Sequence, residues 1–178
     1  MTEPPLIVQA DRTVLLETQH PQYEVARDRL ARFAELEKSP EYVHFYRLTP
    51  VSLWNAAALG EPIEAIVDWL QQNARFPIAP QVLAQVREWH RRYGLLKLVG
   101  HGDGAQLELQ SEDRELLATL TDAAPLRELL TLDAEGRVLV PAASRGELKQ
   151  VLVKLGYPTD DRAGYTRGDH LPFGFRAG

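Results

Sequence analysis

The chain has 178 residues, which is room for one large or two small domains. An apolar share of 44% supports a packed core, while no apolar run approaches the length of a membrane span and no cysteine offers a disulfide or thiolate chemistry. A net charge of −5 excludes a general electrostatic binder of polyanions, because phosphate affinity comes mainly from Lys and Arg; it leaves open a local basic face. The N-terminus lacks a signal pattern, and a reducing cytoplasmic setting is expected.

Taken in order, Leu6–Gln9 and Thr13–Glu17 predict two strands around an Ala10-Asp11-Arg12 turn. Pro21 opens a helix with Tyr23, Ala26, Leu30 and Phe33 on one face, and Ser39-Pro40 breaks it. Tyr42–Leu48 is aromatic and β-branched, hence a strand. Thr49 and Pro50 start a second helix that Gly60 ends. Pro62 opens a third, with Ile63, Ile66, Val67 and Leu70 at helical spacing. Pro80 opens a fourth, with Val82, Val86, Trp89 and Tyr93 inward and Gly94 at its end. Leu95–Val99 and Ala105–Leu109 then alternate around a glycine-rich tip, predicting a hairpin.

Three helices and a hairpin between residues 46 and 109 read as a winged helix. Beyond it, Ser111 is the expected cap of a further helix and Pro125 starts a short one. Strands follow at Leu130–Leu132 and Arg137–Val140. Ser144 and Glu147 have capping-box spacing before a last helix with Leu148, Val151, Leu152 and Leu155 as its core face. Residues from Asp160 onward read as loop or linker. The expected fold class is therefore α+β. Residues 1–109 form a hairpin, a support helix and a winged-helix-like domain; residues 110–178 form a small mixed α/β domain with a C-terminal linker.

Chemistry is sparse. There is no P-loop, no G-x-S-x-G and no H-E-x-x-H, and the five histidines lack zinc-site spacing. The Gly100–Gly104 run precedes a strand rather than a helix, so it lacks the N–H groups that hold a phosphate. Asp160-Asp161, Asp169-His170 and His101 with Asp103 are weak acid–base candidates, because catalysis needs rigidly positioned groups. No catalytic residue, cofactor or metal is assigned. Trp54, Trp69 and Trp89 fall on apolar helical faces and are expected in the core.

What remains is a basic surface. Arg87 and Arg91, flanked by Arg92 and by Lys97 at the start of the hairpin, occupy the place where a winged helix meets duplex DNA. The plain alternative is a solvated face, since Glu88 is spaced to pair with Arg91 and Arg92. Arg145, Lys149 and Lys154 form a second cluster on the last helix. The DNA-binding candidates are thus Arg87, Arg91, Arg92, Lys97, Arg145 and Lys149. A transcription regulator is a further option and would need a dimer to pair half-sites.

Several strings carry more than periodicity. Pro5–Glu17, Phe33–Glu41, Tyr46–Ala56, Arg145–Gln150, Lys154–Pro158, Ala163-Gly164-Tyr165 and Leu171-Pro172-Phe173 together resemble, in order, the start of bacterial XPB-type DNA repair helicases. The resemblance implies an N-terminal accessory region of a superfamily 2 helicase acting in nucleotide excision repair, one that includes a damage-recognition-like domain. The ATP-driven 3′–5′ motor would follow it in cis, and archaeal relatives work with a partner nuclease. On this reading the 178 residues lack the motor and its ATPase motifs. They engage single-stranded, forked or damaged DNA and regulate the motor. The alternative is a protein-docking module for a nuclease or the motor lobes, without intrinsic DNA binding.

Overall fold

The computed structural model describes residues 2–164. The chain divides into two compact units, and the division falls between Tyr93 and Gly94.

The first unit is an antiparallel sheet backed by helices. Its strands are β1 (Leu6–Val8), β2 (Thr13–Glu17), β3 (Glu35–Lys38) and β4 (Val43–Arg47), in the order β1-β2-β4-β3. Helix α1 (Tyr23–Leu30) joins β2 to β3, and α2 (Pro50–Ala58), α3 (Ile63–Asn73) and α4 (Pro80–Arg92) follow β4. Strand alternation sends Leu6, Val14, Leu16, Tyr46 and Leu48 to one face, where they meet Leu30, Phe33, Leu53, Ile66, Leu70 and Val86 in one buried core. Trp69 and Trp89 pack against that core.

Local chemistry explains α2. Thr49 Oγ1 accepts from the Ser52 N–H at 3.0 Å, and Ser52 Oγ accepts from the Thr49 N–H at 3.0 Å, which closes a capping box with Pro50 in the first turn. Thr49→Ala should therefore cost about 1 kcal/mol, read as a lower urea midpoint, and Thr49→Ser should recover most of it.

Helix α1 stops at Leu30, short of the Ser39-Pro40 break expected from sequence, and Glu35–Lys38 is a strand. All four β3 residues are exposed, so the segment carries no alternating apolar signal; its conformation comes from pairing with β4.

The second unit holds a five-stranded sheet. It is built from β5 (Leu96–His101), β6 (Gln106–Gln110), β7 (Thr131–Leu132), β8 (Val138–Pro141) and β9 (Thr159–Asp161), in the order β7-β8-β6-β5-β9. Helices α5 (Arg114–Asp122), α6 (Ala124–Arg127) and α7 (Arg145–Lys154) complete it. Leu96, Leu98, Leu107, Leu109, Val138 and Val140 meet Leu120, Leu126, Leu148 and Leu152 in a second core.

The expected wing is corrected by this arrangement. The β5–β6 hairpin lies mid-sheet, flanked by β8 and β9, and its leucines fill the second unit's core. The division accordingly precedes the hairpin, rather than following it near Gln110. Two further expectations change. Asp113, not Ser111, caps α5 by accepting from the Leu116 N–H, while Ser111 Oγ accepts from the Asp113 N–H. Ser144 makes no side-chain cap and instead ends a single 3₁₀ turn, Ala142–Ser144.

Candidate nucleic-acid interface

Helix α4 begins at Pro80 and buries Val82, Leu83 and Val86. The 3.6-residue period then turns Arg87, Glu88 and Arg91 outward. The Arg87 guanidinium makes a two-pronged contact with Glu64 of α3, Nε to Oε2 and Nη2 to Oε1, both at 3.0 Å. Arg91 meets Glu88 at 3.2 and 3.0 Å, and Arg92 Nε reaches Glu88 Oε2 at 3.0 Å. Hydrogen bonds from Arg87 lower the Glu64 carboxyl, and those from Arg91 and then Arg92 lower Glu88 against a burial cost. The carboxylates are therefore ionised at neutral pH, and each arginine has one beside it. His90 takes no part in this face; its Nε2 is 2.7 Å from the Glu61 carbonyl oxygen.

These pairs sit in water. The Arg87 and Arg91 side chains are 47% and 58% exposed, the range in which an ion pair contributes only about 0–1 kcal/mol and can be exchanged for another anion.

The other candidates belong to the second unit. Lys97 lies on β5, half-buried, at a cleft of about 460 Å³ that also takes in Arg114, Arg137, Glu108, Glu112 and Asp113. With Glu135 also on its wall, carboxylates outnumber cations there, which disfavours phosphate. Arg145 and Lys149 on α7 converge on Asp161 of β9. Arg145 Nη2 and Nε lie 2.6 and 2.7 Å from its oxygens, and Lys149 Nζ lies 3.0 Å away. Burial pushes the Asp161 carboxyl up, but hydrogen bonds from Arg145, Lys149 and the Ala163 N–H outweigh it and hold the group down at about 2. The last-helix cluster is thus a structural clasp. Sequence reading missed it because Asp161 stood in a presumed linker.

The acid–base candidates fare no better as a group. Asp160 binds Arg162 at 2.8 Å, Asp161 is the clasp, and Asp103 accepts from the Ala105 N–H in the hairpin tip. Asp169 and His170 lie outside the described residues. Among the described residues no group of three or more His, Cys, Asp or Glu could hold a metal ion, and no helix is long and apolar enough to cross a membrane.

One cationic feature had no sequence signal. Arg12 adopts a positive φ of 72° in the β1–β2 turn, a conformation that favours glycine, and its guanidinium lies 5.3 Å from the Trp89 ring centroid. It ties the turn to α4, the helix that presents Arg87 and Arg91.

Comparison with known proteins places these features in a family. Residues 6–135 match the family model described as helicase conserved C-terminal domain. The chain is 46% identical over 170 residues to the DNA 3′-5′ helicase XPB of Kineococcus radiotolerans, covering 95% of this chain and 30% of that protein. It is 42% identical over 176 residues to the DNA 3′-5′ helicase XPB of Mycobacterium tuberculosis, covering 97% of this chain and 31% of that one. A more distant relative, the general transcription and DNA repair factor IIH helicase/translocase subunit XPB of Antonospora locustae, is 29% identical over 163 residues, which is 88% of this chain and 23% of the relative. The chain thus spans less than a third of the length of these relatives. With a family match running through both units, the chain belongs to the helicase conserved C-terminal domain family.

Proposed function

We propose that this chain is a non-catalytic accessory region of an XPB-type DNA repair helicase, contributing to engagement of forked or damaged DNA and to regulation of the motor. Similarity to the bacterial XPB helicases along 95% of the chain supports the helicase setting. The observation that carries DNA engagement is the outward face of α4, where Arg87 and Arg91 are held in solvent-exposed, exchangeable ion pairs. On this reading Glu64 and Glu88 are place-holders. A phosphate displaces them at small cost, and they suppress indiscriminate binding by a chain that is already acidic.

Two opposed double variants test this by fluorescence anisotropy on a labelled fork across a salt series. Arg87→Glu with Arg91→Glu should weaken binding roughly tenfold and flatten the salt slope by about one to two. Glu64→Gln with Glu88→Gln should strengthen binding by about threefold, because it removes two negative charges that oppose a phosphate beside the same arginines. If neither pair moves the isotherm, the α4 face is not the contact. In that case the second reading gains, a docking module for the motor lobes or a nuclease. It is favoured by the way carboxylates partner Arg87, Arg91, Arg92, Arg145 and Lys149. That reading expects no DNA affinity at moderate salt and retention of the motor in a pull-down.

A further inference from the structure

The β1–β2 turn carries a residue that its own geometry does not ask for. Arg12, at φ 72°, is the one non-glycine residue at positive φ among the described residues. In that region an L side chain crowds the following carbonyl, while glycine is at ease there. A tight turn needs no charge, so closing the chain does not account for an arginine at this position.

The surroundings hold the side chain without neutralising it. The Arg12 carbonyl accepts from the Leu48 N–H at 3.0 Å, which anchors the turn at the end of β4. The guanidinium lies over the Trp89 ring of α4, and Nε is buried with no hydrogen-bond partner. Among the described residues no carboxylate pairs with Arg12. Its chain neighbour Asp11 accepts from the Thr13 N–H at 3.0 Å and lies against Arg47. Glu35, across from Arg47, accepts from the Thr49 hydroxyl. Glu88, beside Trp89, accepts from Arg91 and Arg92. Around the turn and this flank of α4, Arg12, Arg47, Arg91 and Arg92 thus stand against Asp11, Glu35 and Glu88, and the charge left over is that of Arg12.

Position gives the class of ligand. At about 100° per residue, Arg92, Glu88, Arg91 and Arg87 follow one another round α4 from Trp89. Arg12 therefore stands at the end of the same arc that holds the exposed arginines. A guanidinium stacked on an aromatic ring is held flat, with its outer N–H groups set in the fork that fits two oxygens of a phosphate. We propose that Arg12 is a further DNA contact, gripping one backbone phosphate at the flank of α4, and that the strained turn sets its guanidinium on Trp89 in advance of binding. The inference rests on the DNA-engaging reading of α4 and extends that contact to a second element, the β1–β2 turn. Being made to phosphate, the contact adds affinity without sequence preference.

The test measures the whole chain on a labelled fork by fluorescence anisotropy across a salt series, with a urea midpoint for each variant. Arg12→Gln removes the charge and keeps a long side chain, Arg12→Lys keeps the charge, and Arg12→Gly releases the backbone. Arg12→Gln and Arg12→Gly should each weaken binding about fivefold and reduce the salt slope by about one, with Arg12→Lys closer to the parent than either. Arg12→Gly should do so at a urea midpoint equal to or above the parent's, because glycine relieves the positive φ. A residue that merely ties the turn to α4 behaves in the opposite way: Arg12→Gly lowers the midpoint and leaves the fork isotherm untouched, a result that overturns the proposal. Fork binding by Arg12→Gln within about twofold of the parent overturns it as well. If the Arg87→Glu, Arg91→Glu variant loses the fork while Arg12→Gln keeps it, the Arg12 contact is wrong and the α4 reading survives. No fork binding by the parent at low salt overturns both.

Discussion

Leu98→Ala should destabilise the second unit by about 3 kcal/mol. Leu98 is fully buried on β5, aligned with Leu109 of β6, and it belongs to the core that also contains Leu148 and Leu152 of α7. Truncation removes three carbons from a packed interior and leaves a cavity that a mid-sheet position cannot collapse to fill, which puts the cost within the usual range of about 2–5 kcal/mol. A wing would answer differently. On a two-stranded wing with one face in solvent, the same change would cost about 0.5 kcal/mol or less. Urea unfolding followed by far-UV circular dichroism separates the two. A midpoint within error of the parent would contradict a core role for the hairpin.

The second large effect lies at the clasp. Asp161→Ala removes the shared acceptor of Arg145 and Lys149, whose partner carboxylate and guanidinium are only 13% and 15% exposed. The two cations then lose the carboxylate they share, although Arg145 Nη1 still donates to the Gly164 carbonyl at 2.7 Å, and the sheet loses an anchor of its edge strand β9, which runs parallel to β5. A loss of about 2 kcal/mol is expected, below the figure for a fully buried pair because Lys149 stays 40% exposed and screened. The pH dependence follows from the depressed carboxyl. Its folded value of about 2 lies below the ordinary 3.8, so folding favours the ionised form. This contribution is fully present above about pH 4 and is lost as pH falls toward 2. Parent and Asp161→Ala stabilities should therefore differ most near neutrality and converge near pH 2. A constant gap across that window would mean the loss is packing rather than charge.

The clasp also explains why the last basic cluster is a poor guide to ligand. Read along α7 alone, Arg145 and Lys149 look like a phosphate-binding stripe. Their acceptor is 16 and 12 residues away, in a segment rich in Gly and Asp with no strand signal. Arg87 poses the same problem at longer range, since Glu64 lies on a different helix. Glu88 was visible in advance, because helical geometry makes the i+3 and i+4 partners readable from spacing.

Much of the architecture follows from short-range chemistry that the sequence states directly. Proline and glycine punctuation bounded α2 and α4 and opened α3, period-3.6 apolar faces identified the buried sides of α3 and α4, and alternation marked β5 and β6. The α+β class was legible at that level, while the kinship with helicases came from the resemblance of whole strings such as Pro5–Glu17 and Tyr46–Ala56 to that family. What only the tertiary structure decided is where long-range pairing went. The β5–β6 hairpin carries the same residues whether it serves as a wing or as the middle of a five-stranded sheet, and only β8 and β9 alongside it make the difference. Strand β3 has no apolar alternation and exists because β4 offers it hydrogen bonds. The same holds for the charges: a sequence records which cations are present, but the free energy of each depends on the carboxylate the fold sets beside it, and for Arg87, Arg145 and Lys149 that carboxylate comes from another element.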